Sequence, residues 1–437
     1  MTNKERESYI FDKKCLLILL YLFYINNVGY KDITLRSFGF HFDPKCDFKA
    51  IVHSKKDHIH KYVIHIFESP NKVNLEAMDV MGNVNFLKVK NLKNYDPYIP
   101  ESSLNIYFDE SNFLATGFIE GNKIEFTLKN KKDLFLDGGL LYLLNNEKNP
   151  DNEESFILYL LKLYTYKLNL DFVLGAGINI EYGAKDWIHL VDALNNTFYK
   201  DDLKRIEEIK HYVGSELFVN GKILKTSGFD TYKMLNDEIY LLNNCSSACK
   251  SFDDQSSTLY FLVDYIKNHK NTTVITYNYD TNLEYLCKKH GVRYNSSYDD
   301  SAFMGKDSLV SIYHVHGLMP FDKFKEDKYI NSLIFNESDY FYLFNNPYSW
   351  NTSKQLHDFI FNTCIFVGIS LTDPNMKRLL ELATNYLKFN FIFMKKENGY
   401  DEKTYRDVTN YFFSYDLITI WLDDYAEINK WLRELNF

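Results

Sequence analysis

DFVLGAGINIEYGAKDW, residues 171–187, is the stretch on which the reading of this chain turns. Phe172, Val173 and Leu174 form a short apolar run that stops at Gly175-Ala176-Gly177. An apolar run closed by glycine reads as a buried strand entering a turn. Glycines there let the backbone approach a ligand closely, or they make a tight turn that holds nothing. This segment leaves both readings open. A carboxylate and an indole follow at Asp186 and Trp187.

Working outward, the flanking sequence changes texture. "ESFILYLLKLYTYKL" before the stretch suits a helix, and residues 188 to about 270 read as mostly helical. Apolar strands then recur with helices between them. They are "TTVITYN", "VSIYHVHG", "TCIFVGIS", "FNFIFMKK" and "LITIWL", with "LIFNESDYFYLF" between the second and third. Apolar strands alternating with helices predict an α/β fold, a Rossmann-like parallel sheet with helices on both faces and a helical insertion at 188–270. Residues 1–150 differ. "KYVIHIFES", "SLNIYFDES" and "NKIEFTLKN" alternate apolar and polar residues, the period of half-buried antiparallel strands, with turns at "DESN" and "EGNK". The polar segment Asn145–Ser155 divides a β-rich domain, 1–150, from the sheet domain, 151–437.

Composition narrows the function. A chain of 437 residues has room for two to four domains of roughly 100–200 residues each. The net charge of −9 disfavours a phosphate-backbone binder, so no direct nucleic-acid binding is expected. Cys15, Cys46, Cys245, Cys249, Cys287 and Cys364 are scattered and make no Cys-x-x-Cys pair. That argues for buried thiols in a reducing compartment. Cys245 and Cys249 could share a helix face, but two ligands do not make a structural zinc site. His58 and His60 share a face if they lie on a strand, again with no evident third ligand. The apolar run Cys15–Ile25 is shorter than the roughly 20 residues of a membrane span, and it lacks a cleavage signature. A cytoplasmic protein with no membrane partner is expected.

Four strands end in unusual polar groups: Gly175 and Gly177, Asn278 and Asp280, His316 and Gly317, Gly368 and Ser370. Any one alone is a turn, a cap or a satisfied neighbour. On parallel strands all four fall at one rim of one sheet, where such sheets bind ligands. An Asn and a His at neighbouring strand ends supply a polar group and a base near neutral pKa.

Taken in order, Gly-Ala-Gly, "TYNYD", "HG" and "GISLTDP" resemble the motif set of the sirtuin superfamily, over roughly residues 155–437. The likeness is greatest to the sirtuin-like NAD-hydrolysing effectors of bacterial antiphage defence, such as those of the Thoeris system. The resemblance implies that NAD is the substrate. Gly175, Ala176 and Gly177 would hold its pyrophosphate and ribose, with Asn179, where a Ser is usual, still able to donate to a phosphate. Asp186 and Trp187 would belong to a loop closing over the nicotinamide end, which Lys185, in place of the common Pro, would loosen. Asn278 would position the ribose and a water, Asp280 the nicotinamide carboxamide, and His316 would be the general base. Gly368, Ser370 and Asp373 would line the adenosine side, and His314 would be a supporting neighbour. The zinc module of the deacetylases is missing, so the resemblance implies an NADase without metal. The alternatives are an ADP-ribosyltransferase or deacylase, or a silent nucleotide sensor. A homo-oligomer is expected, with the amino-terminal domain controlling assembly or sensing a phage-derived or host protein or nucleotide trigger.

Overall fold

The computed structural model describes residues 151–199, 203–213, 231–240, 255–269, 272–299, 310–321, 326–346, 348–384 and 388–435, with helical positions 17, 20 and 24 and the strand backbones that precede residue 130. The chain divides into two compact units. One comprises Met1–Lys167, Thr384–Phe389 and Glu397–Asp416, and the other Leu168–Ala383, Asn390–Lys396 and Leu417–Phe437.

In the first unit the strand backbones pair antiparallel. Ser103–Phe108, Asn112–Ile119 and Asn122–Lys129 form a meander in which Ile119 faces Asn122 across the turn. Helix α1 (Asp151–Lys167) buries Phe156, Leu160, Leu161 and Tyr164. Tyr24 meets the rings of Phe156 and Tyr159, each at 5.5 Å between centroids. His58 and His60, and Cys15, Cys46, Cys245 and Cys249, lie outside the described residues.

The second unit is an α/β sheet of seven parallel strands. In chain order they are β1 (Leu170–Leu174), β2 (Thr273–Thr276), β3 (Tyr294–Ser297), β4 (Val310–His314), β5 (Thr363–Val367), β6 (Asn390–Lys395) and β7 (Leu417–Leu422). Their spatial order is β3-β4-β2-β1-β5-β6-β7. The apolar strands expected from the sequence are all present. β3 was not anticipated, because Tyr294-Asn-Ser-Ser is polar. At the edge of a sheet a strand needs little apolar surface, so the pattern carries no signal. "LIFNESDYFYLF" supplies no strand. Its second half is helix α7 (Glu337–Asn345), started by a capping box between Asn336 and Asp339.

β1 and β5 are buried along their whole length, as strands covered on both faces must be. Helix α5 (Thr258–Asn268) packs with α6 (Asn282–Lys289) and α10 (Ile428–Leu435), while α8 (Trp350–Phe361) packs with α9 (Pro374–Ala383). Parallel strands are joined by right-handed connections as a rule, and connections to either side of β1 then place these two groups on opposite faces. Helices α2 (Trp187–Tyr199), α3 (Leu203–Val213) and α4 (Thr231–Tyr240) pack among themselves. They bear out the helical reading over the described part of that region. Its last helix, α5, belongs instead to the layer covering the sheet.

The chain leaves β1 toward β2 on one side and returns past it to β5 on the other. The sheet therefore reverses direction at β1 and β5, the topological switch point where the carboxyl ends open a crevice. No helix among the described residues is long and apolar enough to cross a membrane.

Candidate functional site

The register aligns the four strand ends. Thr276 is level with Leu174 on one side and His314 on the other, and Leu174 is level with Val367. Gly175, Asn278, His316 and Gly368 therefore project from one rim.

The glycines at that rim are there first for each other. Gly175 N–H donates to the Val367 carbonyl and Gly177 N–H to the Gly368 carbonyl, both at 3.0 Å. A Cβ on Gly175 would lie 2.5 Å from the Gly368 oxygen, and one on Gly177 2.6 Å from the Gly368 Cα. Gly368 is left-handed, at φ +67°, and its own Cβ would fall 2.3 Å from the Ile178 nitrogen. No side chain fits where the β1 and β5 turns touch. Ala176 then opens a 3₁₀ turn, Ala176–Tyr182, which ends at left-handed Gly183.

Asn179 is buried within that turn. Its Nδ2 donates to Asp280 Oδ2 at 2.8 Å, and its oxygen accepts from Asn282 at 3.4 Å. Asp280 accepts a second bond from Asn282 N–H at 2.9 Å. Burial pushes the Asp280 carboxyl up to about 6, against the Asn282 N–H, which lowers it. Asn278 is half-buried, and its Nδ2 donates to the Gly175 carbonyl at 3.0 Å, stitching β2 to β1.

His316 is buried, with its ring edge-on to Tyr277 at 4.7 Å and to Tyr340 at 5.7 Å. Its Nε2 lies 3.2 Å from Asp373 Oδ2, within ion-pair range but not aligned as a hydrogen bond, so the buried nitrogen has no hydrogen-bond partner among the described residues. Asp373 is held firmly. Oδ1 accepts from Met376 N–H at 2.7 Å, starting α9, and Oδ2 accepts from the Tyr340 hydroxyl at 2.8 Å. Burial pushes its carboxyl up, but His316, Met376 and Tyr340 together outweigh burial and hold it below the usual range. Tyr277 in turn donates to Gln355. Tyr277, Tyr340 and Gln355 escaped the sequence reading. Nothing in spacing or pattern joins a residue just after β2 with residues on α7 and α8.

The remaining candidates make contacts of their own. Asp186 accepts from His189 N–H at 2.8 Å and from its ring at 2.7 Å, the work of a residue that starts α2. Trp187 packs edge-on to Phe335 at 5.5 Å, against the core that α2 and α4 form with Tyr279 and Met319. Lys185 pairs with Glu238 on α4 at 2.9 Å, so the loop is tied where the missing Pro predicted looseness. Ser370 is exposed and bonds to Thr372 at 3.0 Å. Between them Leu371 is buried at φ +54°, a conformation a branched side chain adopts only under local constraint.

Residues 272–412 match the family model of the SIR2-like domain. The matched span holds Asn278, Asp280, His316, Gly368, Ser370 and Asp373, while the Gly175–Gly177 turn lies before it. It supports a place in the sirtuin-like superfamily and an NAD-related function. Among curated proteins none matches the chain.

Proposed function

We propose that the protein is an NAD⁺ glycohydrolase that cleaves the nicotinamide–ribose bond to release nicotinamide and ADP-ribose. One observation carries the reading: a buried His316 Nε2 with no aligned partner stands beside a half-exposed Asn278, at the ends of neighbouring strands. The nitrogen faces Asp373 out of line for a hydrogen bond, and a ribose hydroxyl is a fitting hydrogen-bond partner for it. Asn278 would hold the ribose and the attacking water in reacting geometry. His316 would take the hydroxyl proton, with Asp373 fixing the ring. Asp280 would orient the carboxamide of the leaving nicotinamide. The glycine contact between β1 and β5 would form the floor beneath the pyrophosphate.

The biological setting rests on the likeness of the motif set. There the protein stays latent in the cytoplasm as a homo-oligomer, senses infection, depletes NAD⁺ and stops the infected cell. Purified protein incubated with NAD⁺, with and without phage-infected lysate, should release nicotinamide in step with ADP-ribose or its cyclic form. Transfer of acetyl from an added acetylated peptide would identify a deacylase. Binding of NAD⁺ with no nicotinamide in either condition would identify a silent sensor and overturn the proposal.

A further inference from the structure

We infer that Glu284 and His314 are positioning residues, a buried carboxylate–imidazolium pair that grips the Asn278 main chain from beneath and so sets the Asn278 side chain at the mouth of the site. His314 ends β4 and is 1% exposed. Its Nδ1 lies 3.0 Å from the Asn278 carbonyl and its Nε2 2.6 Å from Glu284 Oε1. A carbonyl only accepts, and so does an ionised carboxylate. Both ring nitrogens therefore carry protons, and the ring is a cation. A neutral ring would need the proton on Glu284 instead.

The surroundings favour the charged pair. Ser296 on β3 donates to the same Glu284 oxygen at 2.6 Å. Burial pushes the Glu284 carboxyl up, but His314 and Ser296 outweigh it and hold it below its usual range. Burial likewise depresses His314, and Glu284 with the Asn278 carbonyl more than reverses this. Asp280 is the other acid facing the ring, and its charge too favours the cation. Cys287 and Tyr294 face Glu284 from α6 and β3. Burial, then the Glu284 charge, pushes both up, so neither supplies a competing charge.

The geometry links three elements to one residue. Glu284 comes from α6, His314 from β4 and Ser296 from β3, while Asn278 follows β2. Its main chain is fixed by His314 and its side chain by Gly175. The charged pair makes the first contact stronger than a neutral bond. What this positioning serves rests on the proposed function, whereas the charge state and the grip do not.

The test uses the full chain labelled with ¹⁵N-histidine. Long-range ¹H–¹⁵N spectra at pH 7.5 should show one ring with both nitrogens protonated, missing in His314→Gln. A wild-type His314 ring with one bare nitrogen overturns the charged pair. In His314→Gln and Glu284→Gln the Asn278 side-chain amide should lose its protection from hydrogen exchange, and unchanged protection overturns the grip. Nicotinamide release should fall about 10²-fold with NAD⁺ affinity within a few-fold, since misplaced groups lose rate before binding. Full turnover in folded variants overturns the positioning role. If the wild-type chain releases no nicotinamide, the proposed function fails while the spectra still decide the pair.

Discussion

His316 and Asn278 carry different burdens, and substitution separates them. His316→Ala removes the buried imidazole that faces Asp373, and turnover should fall roughly 10²–10⁴-fold with NAD⁺ binding largely kept. Asn278→Ala also cuts the bond to Gly175, so it should lose turnover and some stability together. Comparing nicotinamide release with thermal unfolding tells these apart, and full turnover in both variants would end the site assignment. Glycine behaves otherwise. Gly368→Ala meets backbone at 2.3 Å in a left-handed conformation, and Gly177→Val meets the Gly368 Cα at 2.6 Å. Each should lower stability by about 1–3 kcal/mol or more, through overpacking and strain, before any effect on binding is read. Unfolding in denaturant measures it. The sequence left a tight turn and approach to a ligand both open for Gly175 and Gly177. Their immediate neighbour is the Gly368 backbone, a fact set by the pairing of β1 with β5, residues 170 and 363 being far apart in the chain.

At the scale of elements, the sheet's opposite end holds another buried acid. Asp171 on β1 accepts from Thr273 N–H at 3.0 Å and from Asn362 at 2.7 Å, close to the Asp358–Lys354 pair. Burial, then the nearby Asp358, pushes its carboxyl from 3.8 up to about 7. A raised acid holds its proton longer folded than unfolded, so its contribution to stability falls as pH rises between those two values. Asp171→Asn should therefore gain on the parent as pH rises from 4 to 7. Melting temperatures of the two, compared across that window, check it, and a constant difference would exclude Asp171 as the group. The apolar strands were readable because burial on both faces demands continuous hydrophobic runs. β3 was not, because an edge position relaxes that demand.

For the whole molecule, the boundary matters more than its position in a polar stretch suggests. Residues 145–155 look like a linker, and a cut there should leave a foldable sheet domain. Yet Phe156 on α1 is fully buried, and Tyr24 packs on it and on Tyr159. Leu17 and Leu20 are buried in the same unit. Deleting residues 1–150 strips cover from α1, so the truncated chain should unfold at lower temperature and aggregate, as size-exclusion chromatography would show. If it stays monodisperse with an unchanged unfolding temperature, α1 does not depend on that cover. A response to infection equal to that of the full chain would separately remove the regulatory role proposed for the amino-terminal domain.

The chain's alternation of apolar strands with helices determined an α/β sheet by itself, since that pattern is buried on both faces in only one kind of layer. The order of its polar strand ends likewise put Asn278 and His316 at one rim, because parallel strands all point the same way. Partnership was decided only in three dimensions. Asp373 reads in sequence as part of the segment lining the adenosine side, and it stands against His316 because β5 lies across the switch point from β4 and α9 starts at its side chain. Glu284, His314 and Tyr340 gain their roles in the same way, through contacts across separate elements. Local pattern reports which face a side chain takes, but the neighbour it meets there depends on how the whole sheet is ordered.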